Sequence, residues 1–211
     1  MLKLAVVGKD VSRSLSPAMH TFLLGKMGVP CSYEAVSIPP VQFAARAQEL
    51  FERFDAFNVT IPFKADIMAY LNEIVGDARA FGAVNTVLSR TRAGYNTDGL
   101  GFMLMLENAG VQVQGARVLV LGAGGAGRSC IYKLSRAGAQ VFAYERDGAR
   151  LERVHRELGA FTPLGQVEAL PYDLVLNCTG VGMHDTVGKT PCVRTQAGEE
   201  NVGEWLLARC S

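Results

Sequence analysis

The chain lacks the features that define several large classes of protein. Its five cysteines form no CxxC pair, its three histidines are far apart, and no apolar run approaches the roughly 18 residues that cross a bilayer. These absences argue against a metal cage, a disulfide framework and a membrane anchor. With 21 basic and 20 acidic residues, the sequence has no charge excess suited to nucleic acid or an anionic membrane. We expect a cytoplasmic monomer or homodimer with reduced thiols, no metal and a small-molecule substrate.

What the chain does contain is a regular alternation of apolar strands and helical stretches. Leu2–Gly8 is typical of a buried strand, and Ser16-Pro17 is a helix start with serine as the N-cap. Alternation of this kind predicts an α/β fold built from βαβ units, with mainly parallel sheets. We predict a substrate-binding domain at 1–98 and a Rossmann-like domain at 99–211, which lacks its last strands and helices.

The individual elements follow from apolar runs and their flanking glycines and prolines. After the first, the predicted strands are 33–38, 56–61, 84–91, 117–121, 140–144, 161–164 and 172–178. The predicted helices are 16–27, 41–53, 65–71, 77–81, a connector ending near Gly110, one that follows the loop 122–127 and runs to about 137, 148–158 and a short one within 204–210. Pro62 is expected to open the helix at 65–71, and Ala93-Gly94 to form a turn.

A glycine-rich loop follows the predicted strand 117–121 and opens a helix. Its pattern is Gly122-x-Gly124-x-x-Gly127. In this context the first glycine permits the tight turn, the second lets the backbone approach a pyrophosphate, and the third lets helix and strand pack closely. The N–H groups at the helix start can then face the phosphates. The sequence therefore predicts a dinucleotide site formed by Gly122, Ala123, Gly124, Gly125, Ala126 and Gly127.

Two residues at the end of the following strand bear on the choice of cofactor. Glu145 and Arg146 lie just over 20 residues beyond the glycines, where the ribose is recognised. An acid there accepts both ribose hydroxyls of NAD, whereas an arginine neutralises the 2′-phosphate of NADP. Because both are present, the residues alone leave NADP and NAD open.

Four polar clusters fall at predicted strand ends or helix starts in the first half. They are SLSP at 14–17, NVTIPFK at 58–64, GAVNT at 82–86 and NTDG at 96–99. Taken singly, Ser16 and Asp98 are ordinary helix N-caps and Lys64 is a solvated lysine on an edge strand. Together they suit hydride transfer to a carbonyl, because a lysine–carboxylate pair can supply the proton. Small hydroxyls and amides suit a polyhydroxylated acid as the substrate.

These four motifs, with GAGGAGR at 122–128 and NCTGVGM at 177–183, resemble the shikimate dehydrogenase family over about residues 1–190. The resemblance implies reversible, NADP-dependent reduction of 3-dehydroshikimate to shikimate, in the chorismate route to aromatic amino acids. It implies that Ser14 and Ser16 bind the substrate carboxylate and that Lys64 is the acid/base residue with Asp98 as its partner. The cleft for the substrate hydroxyls would be lined by Asn58, Thr60, Asn85 and Asp98. The implied cofactor residues are the loop 122–127, Glu145, Arg146, Thr179 and Met183.

The chain departs from the family pattern at two places. Glu145 replaces an asparagine, and nothing after Lys189 matches. We therefore expect a C-terminally truncated or frame-shifted product whose second sheet has an uncovered edge. Two alternatives remain: an NAD-using quinate/shikimate dehydrogenase, or a catalytically impaired nucleotide-binding remnant.

Overall fold

The computed structural model describes residues 1–167, 171–182, 186–189 and 191, and the backbone of Leu206–Arg209. The chain divides into two compact units, Met1–Thr97 and Asp98–Ser211. In the part of the chain that the structure describes, no helix is long and apolar enough to cross a membrane. The same residues contain no group of three or more His, Cys, Asp and Glu side chains that could hold a metal.

The first unit is a six-stranded sheet with helices. Its elements are β1 (Leu2–Gly8), α1 (Ser16–Lys26), β2 (Cys31–Ser37), α2 (Phe43–Arg53), β3 (Ala56–Val59), β4 (Glu73–Ile74), α3 (Ala78–Phe81), β5 (Thr86–Leu88) and β6 (Ala93–Tyr95), with 3₁₀ turns at Pro40–Gln42 and Asp66–Tyr70. The strand order is β2-β1-β3-β5-β6-β4. The β1–β2, β1–β3 and β4–β6 pairs are parallel, which confirms the mainly parallel sheet.

The β5–β6 pair is an antiparallel hairpin that the sequence did not predict. The predicted strand 84–91 is shortened to β5, and Ala93-Gly94, predicted as a turn, lies in β6. A Cβ on Gly94 would lie 2.3 Å from Cδ1 of Leu71 and 2.9 Å from a methyl of Val84. Glycine is therefore needed there for close packing rather than for a turn.

Two further predictions about the first unit were wrong. Pro62 does not open a helix: residues 61–65 form turns, and the next helical segment is the 3₁₀ turn Asp66–Tyr70. Ser16 is not the N-cap of α1. The cap position belongs to Leu15, and Ser16 is the first helical residue.

The second unit has a Rossmann-type sheet. Its elements are α4 (Asp98–Asn108), β7 (Arg117–Leu121), α5 (Gly125–Arg136), β8 (Gln140–Tyr144), α6 (Gly148–Leu158), β9 (Thr162–Leu164), β10 (Leu174–Asn177) and β11 (Leu206–Arg209). All pairs in the order β11-β10-β7-β8-β9 are parallel. Numbered along the chain and read from β9 to β11, this order is 3-2-1-4-5, the order of a dinucleotide-binding sheet. The Rossmann-like fold is confirmed.

The central strand β7 explains why this sheet forms. Val118 and Val120 pack in one buried cluster with residues of α5, while Leu119 and Leu121 pack in a second cluster on the opposite face. A strand buried on both faces has to be apolar throughout, which is why its bounds could be predicted from the sequence.

The C-terminal segment corrects one prediction. Leu206–Arg209 is a strand, not part of a helix, and it pairs in parallel with β10 from Leu174 to Asn177. In the described residues β11, not β10, is therefore the end strand of this sheet. The backbone groups of an unpaired strand favour such an addition, and a local helix of a few residues has little intrinsic stability.

Candidate active site

Asn58 lies in β3 and is hydrogen-bonded through both ends of its side-chain amide. Its Nδ2 donates to the backbone oxygen of Asn85 at 3.2 Å and to Oγ1 of Thr86 at 3.1 Å. Its Oδ1 accepts from the hydroxyl of Tyr33 at 2.6 Å. Both amide protons are used within the protein. The Oδ1 atom accepts one hydrogen bond and can accept a second from a ligand.

Asn85 is the buried centre of the same network, with only 8% of the residue exposed. Its Oδ1 accepts from the Thr86 hydroxyl at 2.9 Å and from the backbone N–H of Thr97 at 3.0 Å, and its Nδ2 donates to Oγ1 of Thr97 at 3.0 Å. Its backbone oxygen accepts from Val59 N–H at 2.8 Å. Asn85 therefore joins β3 and β5 to the residue that precedes α4.

Lys64 ends a turn whose backbone is fixed on both sides. The preceding residue, Phe63, is 1% exposed and stacks on Phe43 with ring centroids 4.1 Å apart. The backbone oxygen of Lys64 accepts from Val84 N–H at 2.7 Å. The half-buried lysine side chain thus starts from a defined position next to the segment that carries Asn85.

Thr60 lies where this turn approaches the end of β1. Its N–H donates to the backbone oxygen of Val7 at 2.8 Å. A Cβ on Gly8 would lie only 2.6 Å from the Thr60 methyl group, so the glycine allows the turn to approach β1.

Ser14 lies in the loop before α1 and Ser16 is the first residue of α1, and both are half-buried. The N–H of Ser16 donates to Oγ of Ser14 at 3.2 Å, and the N–H of Ser14 donates to the backbone oxygen of Val11 at 3.0 Å. The Ser16 side chain also adjoins the Tyr33 phenol, whose pKa it lowers. These contacts place Ser16 and Asn58 in one network with Asn85.

Tyr33 and His20 are the network residues that the sequence analysis missed. Burial raises the pKa of Tyr33 to about 12, and the hydrogen bond from Ser16 opposes this shift. The His20 ring stacks on the Tyr33 ring with 4.9 Å between centroids, and burial lowers the pKa of His20. No local signal distinguishes Tyr33 from an ordinary strand tyrosine, because its partners come from α1 and β3.

Asp98 is the first residue of α4 and therefore belongs to the second unit. It directly follows Thr97, whose backbone N–H is bonded to Asn85. The pairing of Asp98 with Lys64 stays a prediction.

The glycine-rich loop connects β7 to α5. Gly122 has φ of 95°, in the region that favours glycine, and its N–H donates to the Tyr144 oxygen at 2.8 Å. A Cβ on Gly127 would lie 2.0 Å from the Gly122 oxygen, so only glycine allows this packing. A Cβ on Gly124, at the N-cap of α5, would meet no atom within 4 Å. The space in front of the helix start is thus open to a ligand.

The carboxylate of Glu145 is bonded to this loop. Its Oε2 accepts from Ala123 N–H at 3.1 Å and its Oε1 from Asp147 N–H at 3.2 Å. One guanidinium nitrogen of Arg150 lies 3.6 Å from Oε2. Arg146 is exposed, and Arg150, which the sequence analysis missed, is half-exposed beside Glu145. The residue after β8, Glu145, therefore places a carboxylate next to the loop, with the Arg150 guanidinium of α6 beside it.

The segment after β10 folds into a hydrogen-bonded turn next to the glycine loop. Asn177, which is 4% exposed, accepts from Thr179 Oγ1 at 2.7 Å and donates to the Val181 oxygen at 2.9 Å. A Cβ on Gly122 would lie 3.0 Å from the Thr179 methyl group, so Thr179 adjoins the loop. Met183 lies outside the described residues.

Comparisons with known proteins match both halves of the chain. The model of the shikimate dehydrogenase substrate binding domain matches residues 6–87, and that of the alanine dehydrogenase/PNT C-terminal domain matches residues 92–171. The shikimate dehydrogenase (NADP(+)) of Caldicellulosiruptor saccharolyticus is 35% identical over 202 residues, which cover 90% of this chain and 72% of that protein.

Solved structures agree with these matches. Shikimate 5-dehydrogenase from Thermus thermophilus, in complex with NADP(H) and shikimate, has 38% identity and a TM-score of 0.79, covering 86% of this chain and 70% of that one. Shikimate 5-dehydrogenase from Listeria monocytogenes, in complex with shikimate and NAD, has 25% identity and a TM-score of 0.78, covering 90% and 72%. The chain is 35–38% identical in sequence to two of these relatives and covers about seven-tenths of their length, so it belongs to the shikimate dehydrogenase family.

Proposed function

We propose that the chain catalyses the reversible, NADP-dependent reduction of 3-dehydroshikimate to shikimate, a step of aromatic amino acid biosynthesis. The observation that carries this proposal is the network joining Ser16, Asn58 and Asn85, which lies within the part that matches the substrate binding domain. The first unit then binds the substrate and the second binds the cofactor.

The substrate is recognised by groups of complementary hydrogen-bonding character. A carboxylate can only accept, and the hydroxyls of Ser14 and Ser16 can donate to it. The Oδ1 of Asn58 keeps acceptor capacity and takes a hydrogen bond from a ring hydroxyl of the substrate. Thr60, Asn85 and Asp98 complete the hydroxyl-binding surface.

The proton of the reacting hydroxyl is transferred by Lys64. In shikimate oxidation the Lys64 amine accepts this proton as the carbon–oxygen double bond forms, and in reduction the ammonium group returns it to the carbonyl oxygen. Asp98 is the proposed partner of Lys64. Bound NADP supplies the hydride acceptor in oxidation, and NADPH the hydride in reduction.

The second unit fits a dinucleotide. The open space before Gly124 and the first N–H groups of α5 suit a pyrophosphate, and Thr179 and Met183 lie in the segment following β10. Arg146 and Arg150 can both neutralise a 2′-phosphate. These two arginines support NADP over NAD.

NAD is the second candidate cofactor, and the position of Glu145 favours it. Its carboxylate is 3.1 Å from the loop nitrogen of Ala123. A carboxylate there repels a 2′-phosphate and can accept from the ribose hydroxyls of NAD.

The test is steady-state oxidation of shikimate with NADP and with NAD in parallel, accompanied by direct titration of each cofactor. Turnover with NADP supports the proposal. Turnover confined to NAD supports the second candidate. Cofactor binding without turnover refutes both and leaves a catalytically impaired nucleotide-binding protein.

Two further properties belong to this proposal. A cytoplasmic location agrees with the five scattered cysteines, which show no CxxC spacing. We also propose that the protein acts as a monomer or homodimer, which sedimentation equilibrium can distinguish.

A further inference from the structure

The side chain of Tyr33 reaches a strand with which its own strand does not pair. It lies in β2 opposite Leu4 of β1, and β1 separates β2 from β3, which carries Asn58. Since neighbouring strands are about 4.8 Å apart, β2 and β3 are on the order of 10 Å apart. The tyrosine and asparagine side chains bridge this gap, with Oη donating to Oδ1 of Asn58 at 2.6 Å.

The Ser16 side chain at the start of α1 adjoins the same phenol group, whose pKa it lowers. The Tyr33 ring is held separately by its parallel stack on His20, with 3° between the ring planes. Because the stack does not involve the hydroxyl, removal of that one oxygen should leave the ring in place. The hydroxyl thus lies between Ser16 and Asn58.

The hydroxyl also completes the contacts that orient Asn58. The Nδ2 group already donates to the Asn85 oxygen and to Thr86, and the bond from Tyr33 fixes the oxygen side of the amide. Burial raises the pKa of Tyr33 to about 12, so the group keeps its proton at neutral pH and stays a donor.

We propose that Tyr33 is a positioning residue whose hydroxyl sets the separation between Ser16 and Asn58 in the substrate site. This inference rests on the proposed function, in which Ser16 binds the carboxylate and Asn58 a ring hydroxyl. The ring of the substrate fixes the distance between its carboxylate and its hydroxyls. The substrate therefore binds well only when Ser16 and Asn58 have a matching separation. Tyr33 acts through Ser16 and Asn58 rather than on the reacting atoms.

The test is Tyr33→Phe in the full chain. We expect the KM for shikimate to rise roughly three- to tenfold, the change expected from one net hydrogen bond, while kcat and the KM for NADP change less than about twofold. The shikimate Kd from calorimetric titration should rise in the same ratio. In an Asn58→Ala background, Tyr33→Phe should have a smaller effect, because the linked partner is gone.

Tyr70→Phe is the matched control. Tyr70 is also half-buried in the first unit, but its ring packs edge-on against Phe43, with centroids 6.2 Å apart. This variant should keep the wild-type KM. An unchanged KM in Tyr33→Phe, an equal rise in Tyr70→Phe, or effects of Tyr33→Phe and Asn58→Ala that simply add would each overturn the inference. Failure of the proposed function is seen separately, as a wild-type chain that neither binds nor oxidises shikimate.

Discussion

At the scale of single residues, Lys64 has a backbone that does not depend on its own side chain. The preceding residue, Phe63, is buried in the core, and the backbone oxygen of Lys64 accepts a hydrogen bond from Val84 N–H. Lys64→Ala should therefore retain the fold and lower kcat for shikimate oxidation by about 10²–10⁴-fold, the range of general acid–base catalysis. Circular dichroism checks the fold, steady-state kinetics gives kcat, and the exposed Lys26→Ala is the control. A Lys64→Ala variant with a near-wild-type rate removes Lys64 from the mechanism.

Glu145 and its neighbours give a second residue-scale prediction, on cofactor choice. An asparagine at 145 can still accept from Ala123 N–H but carries no charge beside the two arginines. Glu145→Asn should therefore lower the Kd for NADP relative to that for NAD by about tenfold or more, through loss of one like-charge contact. Arg146→Ala should change the ratio in the opposite direction. Equal Kd ratios in wild type and Glu145→Asn would show that Glu145 does not select the cofactor.

The candidate site residues that could be proposed from the sequence are those at or near the ends of recognisable elements. Asn58, Lys64 and Asn85 stand next to apolar strands, so their motifs marked them before any contact was visible. Tyr33 could not be found in this way, since its importance arises from a hydrogen bond across β1. Likewise, nothing in the sequence indicated that Glu145 would bond to Ala123, 22 residues earlier.

At the scale of elements, the accuracy of the predictions follows burial. The predicted bounds of β7, β8 and α6 agree with the structure, because apolar strands or an amphipathic helix end there at glycine or charged residues. The hairpin β5–β6 was missed because its strands have three residues each and β6 contains a glycine. Pairing between distant segments, not local preference, makes such short strands.

The loop between β7 and α5 gives an element-scale prediction. Gly127→Ala places a Cβ 2.0 Å from the Gly122 oxygen, so strand and helix must separate. We expect a lower unfolding temperature and at least about tenfold weaker binding of NADP, because the helix start moves from the pyrophosphate. Calorimetry and cofactor titration measure these effects.

Gly25→Ala is the control for this loop. A Cβ there meets no atom within 4 Å, and alanine is favoured over glycine in a helix, so stability should stay equal or rise. If Gly127→Ala binds NADP as well as wild type, the close packing of the loop is not required for cofactor binding.

At the scale of the whole molecule, the stacked His20 predicts a pH dependence of stability. Burial lowers the pKa of His20 below the ordinary value of 6.5. As the pH falls, His20 is therefore protonated in the unfolded chain before it is protonated in the folded chain. Its stabilising contribution is complete above pH 6.5 and is lost as the pH falls through the lowered value. Between about pH 7 and pH 5, the unfolding temperature of wild type should therefore decrease more than that of His20→Phe, which keeps a ring on Tyr33. Parallel decreases would show that His20 is not the source.

The division into two units could be predicted in outline, because strand–helix alternation restarts after α4 with a new glycine-rich loop. The role of the C-terminal segment could not. Leu206–Arg209 joins β10 through backbone bonds to residues about 30 positions earlier, and such pairing leaves no periodic signal in four residues.

The hydrogen bonds of Asn58 and Asn85 have a consequence for the thermodynamics of ligand capture. These amides are oriented by protein atoms before any ligand arrives, and the Lys64 backbone is already immobilised. Little conformational entropy remains to be lost in this unit when a substrate enters, so most of the interaction enthalpy can appear as affinity. The free and liganded forms of residues 1–97 should accordingly superpose closely, as rigid recognition surfaces do.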